Sequence, residues 1–433
     1  MDAGLKRRDA EEDGSDGASA PKLVHEPWGG RVFRRGRHTR HRPIAASLLL
    51  LLLPMLVACG ETGGEEPIAW VPYEPTVAPP ATPPAARSTP VPAAVGGISG
   101  ALPEGSGRLN VDALQTYLPN ELGVIPVLQY HVFVTDDAKM DQFTTTIDRF
   151  TNQLQWLYDH GFYIISMENF ISDLVTAPPG KHPVVLTIDD ASPGQFRLIA
   201  GSDGTLVPDP QSAVGAMEAF FAAHPDFGRG GFFAVLPFNC FAMPAEPDQM
   251  PYCDQKLAWL AEHGYEIGNH TLGHQDLFDV TDDVFAAEVG GATLWVRDHV
   301  PAPGNLGDVM VMPFGNYPDR ETHQEQRRML REGFVHEGQE IRIRAAFMVG
   351  ANPAESPSST LWDPLFIPRI QTYDEELDHW FEVFADAGVI LYVSDGDPQT
   401  ITVPDPLPSR LDGELDPNLI AGKGKQLVQY VPG

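Results

Sequence analysis

From about residue 107 onward, apolar residues fall into short continuous runs alternating with longer stepped ones. Ile125 to His131 reads as a strand, and the following positions Phe143, Ile147, Phe150, Leu154 and Leu157 step by four and three, as one face of a helix does. Gly161 is placed to end that helix. Phe162 to Ser166 is expected as a strand, Glu168 to Val175 as a short helix, and Pro183 to Ile188 as a strand apolar on both faces that runs into Asp189 and Asp190. The rhythm continues with a helix at Ala213–Ala223, a strand at Gly231–Leu236, a helix at Lys256–His263 before Gly264, a strand at Glu266–Asn269 and a helix at Val284–Val300. Further strands are expected at Val309–Met312, Ala345–Val349, Phe366–Ile370 and Val389–Val393, with a helix at Glu375–Ala387 before the last. Gly201-Ser202-Asp203-Gly204 suggests the turn of an inserted hairpin. Alternating strands and helices, with strands apolar on both faces, predict a parallel α/β sheet, open or closed. The closed form is favoured because the polar residues of interest follow the carboxyl ends of several different strands, where barrels place their sites.

Composition divides the chain. Its 433 residues are 42% hydrophobic, enough for a buried core and incompatible with a wholly disordered chain, but 41 Gly and 41 Pro imply long unstructured stretches. The longest apolar run, Ile44 to Val57, is too short to span a bilayer as a helix of about 20 residues. It follows Arg34, Arg35, Arg37, Arg40 and Arg42 and ends in Leu56-Val57-Ala58-Cys59, the charged, apolar, small-residue order of an export signal. Residues 1–58 are therefore expected as a signal peptide with a long leader. The end of that segment resembles a bacterial lipobox, which implies a lipid anchor at Cys59, contact with a membrane and an extracytoplasmic or secreted location.

Residues 59–106, with Pro79-Pro80, Pro83-Pro84, Pro90 and Pro92, lack apolar periodicity and read as an extended tether. A folded domain is expected over 107–433. Residues 1–58 hold 10 of the 29 Lys and Arg and 7 of the 59 Asp and Glu, leaving 19 basic against 52 acidic residues, a net charge of −33. Such a polyanion is a poor partner for nucleic acid, whose binding needs clustered Lys and Arg.

Three clusters carry candidate chemistry. Asp189 and Asp190 leave a buried strand side by side, so that one is suited to a cation while the other handles a proton. His270 and His274 follow another strand, four residues apart, and imidazole is the commonest zinc ligand. Two or three ligands on one rim leave positions for water, which marks a catalytic rather than a structural metal. Met312-Pro313-Phe314-Gly315 ends a third strand as a turn.

Together these residues resemble the polysaccharide deacetylases, the NodB-homology or family 4 carbohydrate esterases, from Ile125 onward. Leu128-Gln129-Tyr130-His131 is similar to that family's opening strand, Thr187-Ile188-Asp189-Asp190 to its Thr-Phe-Asp-Asp motif, and His270-Thr271-Leu272-Gly273-His274 to its His-Ser/Thr-x-x-His motif. Pro313-Phe314-Gly315 is similar to the end of its third motif. The resemblance implies a distorted (β/α)7 barrel and a divalent cation, with Zn2+ the expected ion, held by Asp190, His270 and His274. It further implies Asp189 as the base acting on metal-activated water, the Phe314 N–H as an oxyanion donor, and acetylated cell-wall or extracellular polysaccharide as substrate, acetate being released from N-acetyl or O-acetyl groups.

The sequence departs from that pattern twice. Val311 stands where the third motif has an Arg that orients the catalytic Asp, which leaves Arg369 as the candidate, with a surface salt bridge as its other reading. The last motif's Leu-x-His is matched by Leu391-Tyr392-Val393-Ser394-Asp395, with no His. His131 is then the candidate to protonate the leaving amine, or a packed polar support, with Asp395 or a metal-bound water as the alternatives. A tethered glycan-binding protein with little turnover is the competing function. Cys240 and Cys253, in an exported domain, are expected to form a disulfide across an extended loop bordering the substrate groove. Trp362, Tyr373 and Trp380 are explained either as cleft lining or as core.

Overall fold

Seven parallel strands stand side by side: β1 (Val127–Tyr130), β2 (His182–Asp189), β3 (Phe232–Val235), β4 (Glu266–Asn269), β5 (Asn305–Val311), β6 (Ala345–Phe347) and β7 (Ile370–Gln371). They belong to a computed structural model that describes residues 109–136 and 142–433. The segments expected as signal peptide and tether, with Cys59, lie outside the described residues. Strands β1 to β6 pair in chain order, and β7 pairs with β1. The ends of this row meet: Phe347 bridges Ile367 in parallel, with Met348 N donating to Ile367 O at 2.9 Å and Ile367 N to Ala346 O at 3.0 Å. The result is the expected distorted (β/α)7 barrel, made irregular by a register shift between β4 and β5.

Alternation along each strand explains why both faces are apolar. Val127, Val185, Phe232, Ala234, Val309, Val311 and Phe347 fill the barrel interior, while Leu128, Tyr130, Leu186, Ile188, Phe233, Val235 and Ile267 pack outward. The outer layer is closed by α1 (Ile147–Asp159), α2 (Ala213–Ala223), α3 (Cys253–Glu262), α4 (Asp282–His299), α5 (Gln324–Glu332) and α6 (Asp374–Ala385). Thr146, Ser212 and Thr281 cap α1, α2 and α4 by accepting from backbone N–H groups of the first turn. No helix among the described residues is long and apolar enough to cross a membrane.

Four expectations are corrected. Phe143 is not part of α1; Thr144–Thr146 pairs as a strand with Val132–Val134, and the Thr146 cap starts the helix after it. The short helix expected at Glu168–Val175 is confined to Met167–Ile171. Val389–Val393 forms no strand, only isolated bridges from Leu391 to Val124 and from Val393 to Asn120. The segment between Cys240 and Cys253, which are joined as expected, is not extended but coils through turns into the 3₁₀ helix Pro247–Tyr252, because Pro at a helix's first turn forfeits no hydrogen bond. The hairpin around Gly201–Gly204 is present as the antiparallel pair Leu198–Ala200 and Leu206–Pro208. The sequence reading did not find a C-terminal parallel pair, Thr400–Pro404 with Gln426–Tyr430, over its own small core of Leu122, Ile401, Val403, Leu411 and Ile420.

Candidate metal centre and its carboxylate

The carboxyl ends of β1, β2, β4 and β5 and the segment before β7 bring the candidate residues to one rim. Asp189 is the last residue of β2 and points inward, as Thr187 and Val185 do below it; Asp190 follows with φ +79°. That left-handed turn is what lets adjacent carboxylates serve different partners. Asp190 Oδ1 lies 3.1 Å from His270 Nε2 and 3.5 Å from His274 Nε2. One ligand atom from each of the three residues lies within 4.8 Å of the others.

The two imidazoles converge without a helical turn. Residues 270–274 form a loop in which Asn269 Oδ1 accepts from Thr271 N at 2.7 Å and Thr271 Oγ1 accepts from His274 N at 3.1 Å. Thr271 and His274 adopt φ +70° and +55°. Glu288 on α4 holds the loop from outside, accepting from Gly273 N at 2.7 Å and from Gln275 Nε2 at 3.0 Å. Asn239 Nδ2 and Phe241 N, beside the disulfide, donate to the carbonyls of Asp190 and Ala191 and so brace the Asp190 turn.

The donor set suits a cation. His270 Nδ1 contacts the Val311 carbonyl at 3.0 Å, and a carbonyl only accepts, so Nδ1 carries a hydrogen and, in the neutral ring, the Nε2 lone pair faces Asp190 Oδ1. Asp190 Oδ1 is itself buried without a hydrogen-bond partner. Two acceptors facing one another at this distance need a proton or a metal ion between them. Two imidazole nitrogens and one carboxylate oxygen match the ligands of zinc and similar divalent ions. Val311 thus contributes its carbonyl to orienting His270.

Asp189 is held separately. Arg369, fully buried, donates from Nη1 to Asp189 Oδ1 at 2.8 Å, from Nη2 to Oδ2 at 2.9 Å, from Nη1 to Thr187 Oγ1 at 3.0 Å and from Nε to Met348 O at 2.9 Å. The surface reading of Arg369 is therefore corrected: it is an interior fork that fixes both carboxylate oxygens. Burial would lift the Asp189 carboxyl, but Arg369 outweighs it and holds the group below its usual range. Burial opposes ionisation of Asp190 too, and the facing imidazoles still hold it at about 2. Burial lowers His131 and His274, whereas for His270 the facing carboxylate of Asp190, with that of Asp189 nearby, outweighs burial and raises it.

His131 sits at the end of β1 with Nε2 3.6 Å from Asp189 Oδ2 and 3.3 Å from Gln129 Nε2. Its ring packs edge-on to Phe143 at 5.3 Å. Pro313–Gly315 forms a single 3₁₀ turn after β5, in which Phe314 has φ +56° and lays its exposed ring 4.7 Å from that of His274. Gly315 is required there, since a Cβ would meet Val349 Cβ at 2.3 Å. Five of the eleven non-glycine residues with positive φ among the described residues, Asp190, Ala191, Thr271, His274 and Phe314, lie at this rim. Such backbone costs about 1–2 kcal/mol per residue and concentrates at functional sites.

The chain resembles solved deacetylases in structure. Streptococcus pyogenes deacetylase PplD, solved in complex with acetate, matches over 59% of this chain and 94% of its own at 20% identity and a TM-score of 0.40. A polysaccharide deacetylase from Bacillus cereus matches over 61% and 69% at 15% identity and a TM-score of 0.43, and IcaB from Ammonifex degensii over 61% and 96% at 17% and 0.39. No family model and no curated protein matches the chain.

Not every expected residue reaches the rim. Ser394 N donates to Lys181 O and Gly180 N to Ser394 O, beside the start of β2. At about 3.3 Å per residue, eight-residue β2 puts Asp395 roughly 20 Å from Asp189, so Asp395 is no proton donor to this site. Trp380 is core, while Tyr373 lines a recess beside His131. The sequence reading missed Gln129, Gln195 and Glu288. Gln129 was legible, two residues before His131 and hence on the same face of β1. Gln195, which ties the carbonyls of His131 and Asp189 together, and Glu288, on a helix 18 residues after His270, leave no sequence signal.

Proposed function

We propose that this domain is a metal-dependent hydrolase that removes acetyl groups from N-acetylated or O-acetylated cell-wall or extracellular polysaccharide. The observation that carries the reading is the convergence of Asp190, His270 and His274, with a bare imidazole nitrogen facing an unpaired carboxylate oxygen, beside an Asp189 clamped by Arg369. A divalent cation bound there, Zn2+ being the ion proposed, supplies a lowered water pKa and a polarised carbonyl.

The chain's own groups divide the remaining work. Arg369 keeps Asp189 ionised and fixed, which suits it to take the proton of the attacking water. His131, the imidazole beside Asp189, is the group proposed to hand a proton to the leaving amine or alkoxide. The Pro313-Phe314-Gly315 turn presents backbone beside His274, and the Phe314 N–H is proposed as the oxyanion donor. The acidity of the domain argues against nucleic acid as a partner. The Arg-rich stretch, the leucine run and Cys59 support attachment of the domain to a membrane on its extracytoplasmic side through a lipid at Cys59, or its secretion.

The test is acetate release from acetylated chito-oligosaccharides and an acetylated xylan, with and without chelator. Chelator-sensitive acetate release is expected. Stoichiometric metal binding with no acetate from either substrate would favour the tethered glycan-binding reading instead.

A further inference from the structure

Asp190 supplies the carboxylate of the Asp190–His270–His274 triad from a turn in which it and Ala191 both have left-handed backbone, φ +79° and +50°. The segment facing that turn is left-handed too, with Cys240 at φ +38° and Phe241 at +60°. Two hydrogen bonds join them: Asn239 Nδ2 donates to Asp190 O at 2.9 Å, and Phe241 N to Ala191 O at 2.7 Å. Left-handed backbone at non-glycine residues is disfavoured locally, so it persists only where the surroundings over-determine it.

The surroundings here include a covalent bond. Cys240 stands between the two bracing residues, is 1% exposed and is joined to Cys253, the first residue of α3. From the next turn of that helix the buried Lys256 donates from Nζ to Phe241 O at 2.9 Å. Leu257 and Leu260 seat α3 in the main core, where Phe241 packs edge-on against Phe196 and Phe233. The bracing segment is thus tied to a fixed helix by the disulfide and by Lys256. Cutting the disulfide would leave Lys256 and the Phe241 ring to hold it.

We propose that the Cys240–Cys253 disulfide is a positioning element of the metal centre, acting through Asn239 and Phe241 on the Asp190 turn and so setting how tightly the cation is held. The inference rests on the metal-site reading proposed above. A cation binds chains whose three ligands have converged, and its apparent Kd is the intrinsic value divided by the converged fraction. A cross-link that restricts the turn raises that fraction. One that only constrains the unfolded chain raises stability and leaves Kd unchanged.

The test measures Zn2+ affinity by competition with a chromophoric chelator for wild type, Cys240→Ala/Cys253→Ala and Asn239→Leu. Asp395→Asn serves as the control for general destabilisation. Alanine removes the bond without leaving thiolates to bind the ion. Kd should rise roughly tenfold or more in the double variant and in Asn239→Leu, with the fold intact by circular dichroism, and stay unchanged in Asp395→Asn. Acetate release by the two weakened variants should recover towards wild type as Zn2+ is raised. A wild-type Kd in either folded variant would overturn the proposal and leave the disulfide as a restraint on the unfolded chain. Should the double variant fail to fold, native wild type reduced with a phosphine and capped with methyl methanethiosulfonate takes its place, and an unchanged Kd there overturns the proposal equally. A wild type that binds no Zn2+ would sink the metal reading and the proposal together. Disulfide-dependent binding without acetate release would uphold the proposal and sink the hydrolase.

Discussion

The two ends of the barrel differ in how most of their buried polar groups are paired. Near the amino ends of β1 and β2, Glu121 accepts from Tyr392 OH, Asp395 N and Thr402 N at 3.0, 3.1 and 2.8 Å, and Asp395 Oδ2 accepts the hydroxyls of Thr400 and Thr402 at 2.5 Å each. Glu266, at the start of β4, caps the helix Met167–Ile171 through the N–H groups of Met167 and Glu168. At the carboxyl ends, acceptors face acceptors: His270 Nε2 looks at Asp190 Oδ1, and the Oε1 atoms of Gln129 and Gln195 have no partner. Left-handed backbone gathers there as well. A paired polar cluster holds the chain together, whereas an unpaired, strained one is arranged for something the chain does not itself contain.

Breaking the Arg369–Asp189 pair at this rim should have the largest effect. Arg369→Met leaves Asp189 buried without its counter-ion, and a loss of about 3–5 kcal/mol in denaturant unfolding is expected. Acetate release should fall roughly 100-fold or more, the scale of losing a positioned general base. Adding Asp189→Leu should recover most of the stability and none of the turnover.

At the opposite end the effect should appear in stability alone. Burial pushes Glu266 to about 7 against the pull of the Glu168 and Met167 N–H groups. A carboxyl raised in the folded state contributes stability fully below its unfolded value near 4.5, and that stability is lost as pH rises through about 7. Denaturant titrations between pH 5 and 8 should show a decline of about 3 kcal/mol from this group. Glu266→Gln should remove that part of it, leaving the same-signed contribution of Glu355, which burial also raises to about 7. The smallest effect is expected for Asp395→Asn, a loss of about 1–2 kcal/mol from weakened bonds to Thr400 and Thr402. Its turnover per folded molecule should stay at the wild-type level, the control that separates the two ends.

How much of this was legible in the sequence follows from where each signal lives. Strand and helix order was, because both-face apolar runs such as Val184–Ile188 and stepped positions such as Phe150, Leu154 and Leu157 report burial directly. Asp189, Asp190, His270 and His274 were, since ligand-bearing residue types cluster at strand ends. The loop conformation that converges the histidines was not, because it depends on Asn269 and Thr271 bonding their own backbone. Arg369 was nameable but its burial was not, since nothing local to Pro368-Arg369-Ile370 records that Thr187 and Asp189 lie across the barrel. Val389–Val393 misled because an apolar run needs a free strand neighbour to become a strand, and here only Val124 and Asn120 offer isolated bridges.

The most direct test of the account is the metal content of the purified domain and of its triad variants, by elemental analysis after dialysis against trace divalent metal. About one ion per chain is predicted for wild type and for Asp395→Asn, and essentially none for His270→Ala or Asp190→Ala with the fold intact by circular dichroism. A metal-free wild type, or an ion retained at full stoichiometry once the triad is broken, would contradict it.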